Sequence, residues 1–323
     1  MAAVGALGGG AAAYLWRSAP ASLPVGTSPS STVQAEGIQE VLAWGQRVAR
    51  LDVGPTGVAW DPRGERVAIE QMMSDGSSRG TGIYATSGWT AITSLPVRRP
   101  SWSPDGLRLA GVDADGSLQI YQAADYSLAE TYKLGTNTVG WDGVTPVVYT
   151  GELVRVDAGG SRAIDRCADG CVPVRWSPTG GRAVVTRIRG DDREAAVLDL
   201  RDGRTLAALG PIIGDAIWAA QATVVAWPTA ATIGVWREGA DPVMMKVRSL
   251  PKAVSPRGSL VLCRTPEGQW SLVRVSAMTL TPTSVPSDLD QALDLTWSPD
   301  GRFICSRVST YGGVSRLEVW EAA

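Results

Sequence analysis

The chain has 323 residues, of which 44% are hydrophobic and 19% are charged, and its formal net charge is −2. This composition supplies enough apolar sequence for a sizeable core and lacks the basic excess that recruits nucleic acid. The chain contains no histidine, which excludes Ser-His-Asp and Cys-His nucleophilic systems, His-ligated zinc and histidine ligation of haem. Mechanisms based on Asp, Glu or Lys side chains stay open.

Residues 1–17 begin with an uncharged stretch rich in alanine and glycine, which ends at Arg17. As a helix this stretch would extend about 24 Å, somewhat less than the roughly 30 Å of a bilayer's hydrocarbon core. Gly5, Gly9 and Ala13 recur at intervals of four residues. They would therefore share one helix face, on which a second transmembrane helix could approach closely. We expect residues 1–17 to form a short hydrophobic transmembrane helix.

Two other interpretations of this stretch stay open, namely a disordered tail and a cleaved secretory signal, although a signal would lack its usual charged start. Because Arg17 follows the apolar run and no charge precedes it, the positive-inside rule favours a cytoplasmic position for the domain that follows. Cleavage as a signal would instead place that domain in the periplasm. Residues 18–45 start with a Ser- and Pro-rich segment and are predicted to be a linker.

A recurring motif dominates the rest of the chain, and its clearest copies, at residues 101–106 and 296–301, read Trp-Ser-Pro-Asp-Gly. Residues 59–64 and 175–180 keep the same frame, and residues 254–258 keep it without the Trp. Ser or Asp followed by Pro, with Gly in the fourth position, is typical of a type I turn. Each copy therefore predicts a tight hairpin between two antiparallel strands.

We call the Trp of each copy, or the residue in its place, the marker of that repeat. With two degraded copies included, the markers recur every 35 to 43 residues, at Trp60, Trp102, Trp141, Trp176, Trp218, Val254 and Trp297. A period of about 40 residues with four short strands per unit is the signature of a β-propeller. A strand near residues 46–51 precedes the first marker, and the last repeat supplies only three strands. Pairing these ends predicts an all-β, seven-bladed propeller over residues 46–323, closed by its N-terminal strand.

The Trp-Ser-Pro-Asp-Gly motif, followed by an apolar strand and a Gly-containing hairpin, resembles the repeats of the TolB-type and WD-repeat-like propeller family. The resemblance covers about residues 46–323 and rests on residues that form turns and blade contacts. It implies the fold, and a partner-binding platform more often than an enzyme, but no particular activity. Relatives of this kind include periplasmic scaffold proteins, lids of serine peptidases and subunits of larger assemblies.

The tryptophans fall into two groups with different expected roles. Five of the marker tryptophans are predicted to pack between blades, namely Trp60, Trp102, Trp141, Trp176 and Trp297. Others lie outside the repeat frame and are candidates for contact with a partner, and so are two arginines on a loop between blades, where loops commonly line one face. These candidates are Trp44, Trp89, Trp270, Arg98 and Arg99.

The four cysteines predict no metal site. Cys167 and Cys171 flank a short turn and could form a small disulfide, but no second pair at metal-ligand spacing exists. Cys263 and Cys305 lie on apolar strands and are expected to be buried small hydrophobic residues. No cofactor is expected.

These patterns favour a non-catalytic, membrane-tethered propeller that acts as a scaffold or accessory subunit of a larger membrane complex. An energy-transducing or photosynthetic assembly is one candidate class, and the expected partners are other protein subunits, not nucleic acid. The main alternative is a soluble periplasmic TolB-like protein-binding module after signal cleavage. An enzyme that acts through carboxylates in the central channel is a less favoured third hypothesis.

Overall fold

The computed structural model describes residues 44–73, 77–165, 171–287, 289, 292–309 and 315–322. These residues form 28 strands in seven antiparallel sheets of four strands each. The sheets are the blades that the seven markers predicted, so the all-β seven-bladed propeller is confirmed.

The first four blades each use four strands in chain order. Blade 1 contains β2 to β5, at Pro55–Trp60, Arg66–Met72, Ser78–Ala85 and Thr90–Leu95. Blade 2 contains β6 to β9, at Arg98–Trp102, Arg108–Val112, Ser117–Gln122 and Leu128–Lys133. Blade 3 contains β10 to β13, at Val139–Asp142, Thr145–Tyr149, Leu153–Asp157 and Gly160–Asp165. Blade 4 contains β14 to β17, at Cys171–Trp176, Arg182–Arg189, Asp192–Asp199 and Thr205–Pro211.

The last three blades follow the same plan, except that blade 7 takes its outer strand from the start of the propeller. Blade 5 contains β18 to β21, at Ile217–Trp218, Val224–Pro228, Ile233–Arg237 and Val243–Met245. Blade 6 contains β22 to β25, at Leu250–Val254, Leu260–Arg264, Trp270–Arg274 and Thr279–Pro282. Blade 7 contains β26 to β28 and β1, at Ala292–Trp297, Phe303–Ser309, Ser315–Ala322 and Trp44–Leu51.

Pairing of β1 with β28 closes the ring, as the sequence predicted, and the outer strand begins at Trp44 rather than near residue 46. In this antiparallel pair Trp44 lies opposite Ala322 and Leu51 opposite Leu317. Glu318 of β28 is fully buried. It accepts a hydrogen bond from Arg316 Nε at 2.7 Å and forms an ion pair with Arg47 Nη1 of β1 at 3.5 Å. The closing pair is therefore held by a side-chain contact as well as by its backbone ladder.

All seven inner strands begin on the same side of the ring, because each blade is an antiparallel meander with an even number of strands. We call the end of the central channel where the inner strands begin the mouth. The opposite end carries the Ser-Pro-Asp-Gly turns, and we call it the turn end. Hairpins between the second and third strands of each blade lie on the mouth side.

The Ser-Pro-Asp-Gly segments form tight, hydrogen-bonded turns between strands, as the sequence predicted. In blade 2 the Gly106 N–H donates to the Ser103 carbonyl at 2.8 Å, and Asp105 Oδ1 accepts from Ser103 Oγ at 2.6 Å and from the Leu107 N–H at 3.0 Å. Gly106 has a φ of 72°, a region that residues with a Cβ rarely adopt. Burial alone would raise the pKa of the Asp105 carboxyl, but these hydrogen bonds lower it overall.

Four of the marker tryptophans join neighbouring blades through their indole N–H groups. In three blades this group donates to the backbone carbonyl of the residue just before the marker of the preceding blade: Trp102 to Ala59 at 3.2 Å, Trp141 to Ser101 at 3.2 Å and Trp218 to Arg175 at 2.9 Å. Trp176 instead donates to the Thr138 hydroxyl at 2.9 Å. In these four blades the marker therefore combines a large apolar contact with a directed hydrogen bond.

Gly140, which precedes the marker of blade 3, makes room for the marker of the next blade. A Cβ at this position would lie 2.3 Å from Cδ2 of Trp176. Such a contact is far inside van der Waals distance, so only glycine lets the Trp176 ring approach the inner strand of blade 3.

A second repeated contact places an arginine at the start of one blade's second strand over the marker of the next blade. The guanidinium carbon of Arg66 lies 4.6 Å from the ring centroid of Trp102, and that of Arg108 lies 5.4 Å from Trp141. Arg66 also donates to the buried Asp61 carboxylate at 3.1 Å. Burial would lower the pKa of Arg66, but its contacts with Tyr126 and Asp61 raise it overall. These cation–π contacts contribute about 0.5–2 kcal/mol each.

The hydrophobic core of the described residues is divided into seven clusters, one between each pair of adjacent blades. Between blades 2 and 3, for example, Leu118 and Ile120 pack with Val139 and Val148. Each blade is thus apolar on both faces, and the blades stabilise one another only when they are stacked.

The predicted N-terminal helix lies outside the described residues, and so does its proposed packing face of Gly5, Gly9 and Ala13. The same is true of the predicted linker up to residue 43. In the part of the chain that the structure describes, no helix has the length and apolar character needed to cross a bilayer.

The indole hydrogen bonds make a prediction about stability that uses two buried tryptophans, Trp141 and Trp270. Replacing Trp141 with Phe removes the bond to the Ser101 carbonyl, whereas the indole N–H of Trp270 has no hydrogen-bond partner among the described residues. We expect Trp141→Phe to lower the free energy of unfolding by about 1 kcal/mol more than Trp270→Phe, measured by urea denaturation. Equal losses in the two variants would contradict a stabilising role for the bond.

Candidate partner-binding site

The central channel contains a cavity of about 640 Å³ that is lined by the inner strands of all seven blades. One lining residue from each blade, in order, is Val58, Ser101, Thr138, Arg175, Ile217, Val254 and Thr296. Among the described lining residues, Arg99 and Arg175 are the only charged ones. The channel is therefore apolar and hydroxyl-lined, with its charge supplied by two arginines.

A carboxylate-based mechanism in the channel is not supported by this lining. The described residues around the cavity include no Asp and no Glu. The described residues also include no group of three Cys, Asp or Glu side chains that could hold a metal ion. The hypothesis of an enzyme that acts through carboxylates in the channel therefore has no carboxylate among the described residues that line the cavity.

The inner strands are irregular close to the mouth. In five blades the pairing of the first and second strands shifts register near the start of the inner strand. In blade 2 the shift lies between Arg98 and Ser101, and Arg99 within it has a φ of 52°. A non-glycine residue in this region costs about 1–3 kcal/mol, and a β-bulge re-aims the side chains that it contains. The bulge turns Arg99 out of the regular ladder at the edge of the channel.

A second cavity, of about 360 Å³, lies beside the channel at the mouth. Its lining comes from blades 2, 3 and 4 and comprises Arg99, Asn137, Thr138, Tyr149, Val174, Arg175, Ile188 and Arg193. We call this cavity the mouth pocket. Arg99 and Arg175 line both cavities, so the mouth pocket opens next to the channel.

Three arginines and no described acidic residue line the mouth pocket, so its potential is positive. Arg175 Nη2 forms an ion pair with Asp215, which does not line the pocket and has a side chain that is 55% exposed. An exposed pair of this kind contributes at most about 1 kcal/mol. Arg99 and Arg193 are exposed, and neither has an ion-pair partner among the described residues. Two guanidinium groups are therefore available to an incoming anion.

The structure gives the predicted partner residues different environments. Arg98 and Arg99 are exposed, as expected, but they begin inner strand β6 rather than lie on the preceding loop. Arg98 donates to the Asp113 carbonyl at 3.2 Å, which leaves Arg99 as the residue that reaches the pocket.

Trp270 does not lie on the surface, and its prediction as an exposed residue is wrong. Its side chain is only 5% exposed in the core between blades 6 and 7, with Arg264 over its ring at 5.4 Å. Trp270 faces the neighbouring blade from strand β24. Outside the repeat motif, the sequence does not reveal which face of a strand is covered by a neighbouring blade.

Trp44 and Trp89 are half-buried and contact other parts of the propeller. Trp44 packs against the core between blades 6 and 7 as part of closing strand β1. Trp89 makes edge-to-face contacts with Trp60 at 6.0 Å and with Phe303 at 5.4 Å between ring centroids. It therefore joins blade 1 to blade 7 at the turn end, the end of the channel opposite the mouth pocket.

Sequence reasoning missed Arg175 and Arg193 as site residues. A signal existed for Arg175. The residue directly before the marker is uncharged in other copies of the motif, as with Ala59, Ser101 and Thr296, so a charged residue at this position is unusual. Arg193 gave no such signal. It lies in strand β16 between acidic neighbours, in a segment that reads as an ordinary charged hairpin.

The cysteines divide between described and undescribed regions. The predicted Cys167–Cys171 disulfide lies outside the described side chains and stays a prediction. Cys263 and Cys305 are 0% and 1% exposed, and burial raises the pKa of both thiols. Both are inert core residues, as the sequence predicted.

Comparison with solved structures shows the same fold at low sequence identity. A chain of the mitotic checkpoint complex matches with a TM-score of 0.63 and 16% identity, covering 91% of this chain and 99% of that one. The Cps50 (Swd1) β-propeller domain of Myceliophteria thermophila matches with a TM-score of 0.64 and 12% identity, covering 86% and 100%. A chain of Kuenenia stuttgartiensis hydrazine synthase matches with a TM-score of 0.56 and 14% identity, covering 89% and 99%.

No protein-family model and no curated protein matches the sequence. The structural matches show a seven-bladed, WD40-like β-propeller and not a particular activity, because proteins of unrelated function share this fold.

Buried thiols predict a pattern of chemical reactivity. Because burial raises the pKa of Cys263 and Cys305, little thiolate forms at mildly alkaline pH, and reagent cannot reach either sulfur. We expect iodoacetamide to leave both residues unmodified in the native protein and to label both in denaturant, as read by peptide mass spectrometry. Native-state labelling at the denatured rate would contradict the packing described for β23 and β27.

Proposed function

We propose that this propeller is a non-catalytic scaffold or accessory subunit of a larger membrane complex, held at the membrane by residues 1–17. Its partners are other protein subunits, which it binds through the mouth side of the ring. The propeller supplies the rigid platform, and the N-terminal segment supplies the tether.

The observation that carries the protein-binding role is the exposed, positively charged mouth pocket beside an otherwise uncharged channel. The residues that the repeats share are used inside the propeller, in turns and blade contacts. By contrast, Arg99 and Arg193 are exposed and make no ion pair among the described residues. Exposed functional residues on loops and bulges of a rigid scaffold are typical of recognition sites.

The tether rests on the sequence of residues 1–17. An uncharged stretch with small residues at Gly5, Gly9 and Ala13 suits close packing against another transmembrane helix. The Pro- and Ser-rich linker that follows would let the propeller reach a partner beyond the bilayer surface. The single Arg17 favours a cytoplasmic position.

The fold supports the protein-binding role without identifying a partner. One structural neighbour belongs to a complex by its description, the mitotic checkpoint complex, and another belongs to an enzyme, hydrazine synthase. A soluble periplasmic TolB-like module is the alternative that follows if residues 1–17 are removed as a signal. The choice between the two depends on the N-terminus of the mature protein.

Extraction of native membranes with mild detergent tests the proposal. We expect the chain to migrate in a large complex with other membrane proteins and to begin at Met1 or Ala2, as identified by mass spectrometry after separation by size. A soluble chain that begins near residue 20 would contradict the tether and leave the periplasmic alternative.

A matched pair of variants separates membrane attachment from helix packing. Gly5→Leu with Gly9→Leu keeps the stretch apolar but blocks close approach of a second helix. We expect this double variant to remain in the membrane fraction and to leave the large complex. A variant without residues 1–17 should leave both. Retention of the double variant in the complex would show that the small-residue face is not used.

A further inference from the structure

We propose that the mouth pocket binds an acidic segment of a partner protein, with Asp or Glu carboxylates paired to Arg99 and Arg193. This inference rests on the proposed protein-binding role and specifies the chemistry of the partner. It does not depend on the membrane tether.

The first argument is an imbalance of charge around the mouth. Arg99 lies three residues before the marker of its blade, and the same position holds Asp215 in blade 5 and Asp294 in blade 7. Both aspartates have an arginine partner, Arg175 and Arg307 respectively. Arg99 has none among the described residues, although its strained backbone brings it to the pocket. The unmatched charge at this position of the ring is therefore positive.

The second argument is the way in which Arg193 adds to this charge. Arg193 is the second residue of strand β16 and lies on the mouth side of blade 4, next to the hairpin with β15. Its neighbours Asp192 and Glu194 alternate with it along the strand and point to the other face. Neither acidic residue lines the pocket, whereas Arg193 does. Two blades thus contribute one available guanidinium each to a single cavity.

The third argument concerns the chemistry that such a cavity fits. A guanidinium is always charged near neutral pH, and its planar N–H groups match the two oxygens of a carboxylate. Asn137 and Thr138 add neutral hydrogen-bonding groups, while Val174 and Ile188 supply apolar wall. A cavity of about 360 Å³ with these walls accommodates a carboxylate side chain together with an adjacent apolar side chain.

Nucleic acid is a poorer fit than an acidic peptide. The protein as a whole carries a net charge of −2 and therefore lacks the basic excess that is typical of nucleic-acid-binding proteins. Polyanion binding depends on many phosphate contacts, whereas three arginines in one cavity suit one or two carboxylates. A short acidic segment with apolar neighbours is the ligand that matches both charge and walls.

The test uses the full-length protein in detergent and a short dye-labelled peptide in which Glu and Asp alternate with Leu and Ala. A matched peptide carries Gln and Asn in place of the acids. We expect the acidic peptide to bind, as measured by fluorescence anisotropy, with an affinity that falls as salt rises, and the neutral peptide not to bind. Equal binding of the two peptides would overturn the proposal.

Substitutions assign the binding to the pocket. We expect Arg99→Gln and Arg193→Gln each to weaken binding about tenfold or more. Arg201→Gln is the matched control, because it removes the same charge from the turn end of blade 4 and should leave the affinity unchanged. Arg99→Lys keeps the charge but not the planar fork, and we expect an intermediate loss. Unchanged affinity in both Arg99→Gln and Arg193→Gln would overturn the proposal.

Competitors distinguish a peptide site from a site for other anions. Inorganic phosphate and free glutamate should displace the acidic peptide only weakly, because they lack the apolar contacts. Displacement by phosphate as strong as by unlabelled peptide would show a small-anion site instead. Tighter, Arg99-dependent binding of single-stranded DNA would likewise overturn the peptide assignment.

The outcome is independent of the membrane extraction experiment. Peptide binding by a chain that proves to be soluble would contradict the proposed tether and support the assignment of the pocket. Membership of a membrane complex without any peptide binding would support the proposed function and contradict the assignment of the pocket.

Discussion

The contact between the marker tryptophan of one blade and the inner strand of the blade before it is the interaction on which the rest of the structure depends. Each sheet is apolar on both faces, so a blade has no stable surface until a neighbour covers it. The indole ring supplies the apolar contact, and in Trp102, Trp141 and Trp218 the N–H fixes its direction. Pairing of β1 with β28 then removes the free edges that an open ring would leave.

This arrangement explains why the most conspicuous residues of the sequence are structural. The tryptophans, the Ser-Pro-Asp-Gly turns and the arginines over the indole rings hold blades and hairpins together. Function is therefore left to positions where one blade differs from the others. The mouth side provides such positions, because register shifts there release the inner strands from regular pairing, and Arg99 is exposed in one of them.

The period of the motif was sufficient to predict the number of blades and the closing strand, and the apolar strands around Cys263 and Cys305 were sufficient to predict that both are buried. Strand faces outside the motif were not predictable, and Trp270 was therefore wrongly placed on the surface. The mouth pocket could not be predicted either, because Arg175 and Arg193 meet Arg99 only after three blades have stacked. Local sequence carries turn and strand preferences, whereas such a cavity depends on contacts distant in the chain.

The central claim is that partners bind on the mouth side, and site-specific photo-cross-linking in native membranes tests it most directly. A photoreactive residue in place of the exposed Asn137 lies in the mouth pocket, and one in place of the exposed Asp202 lies at the turn end of the neighbouring blade. The account predicts cross-links from position 137 to another protein subunit, reduced by Arg99→Gln, and none from position 202. Cross-links to a partner from position 202 alone would contradict it.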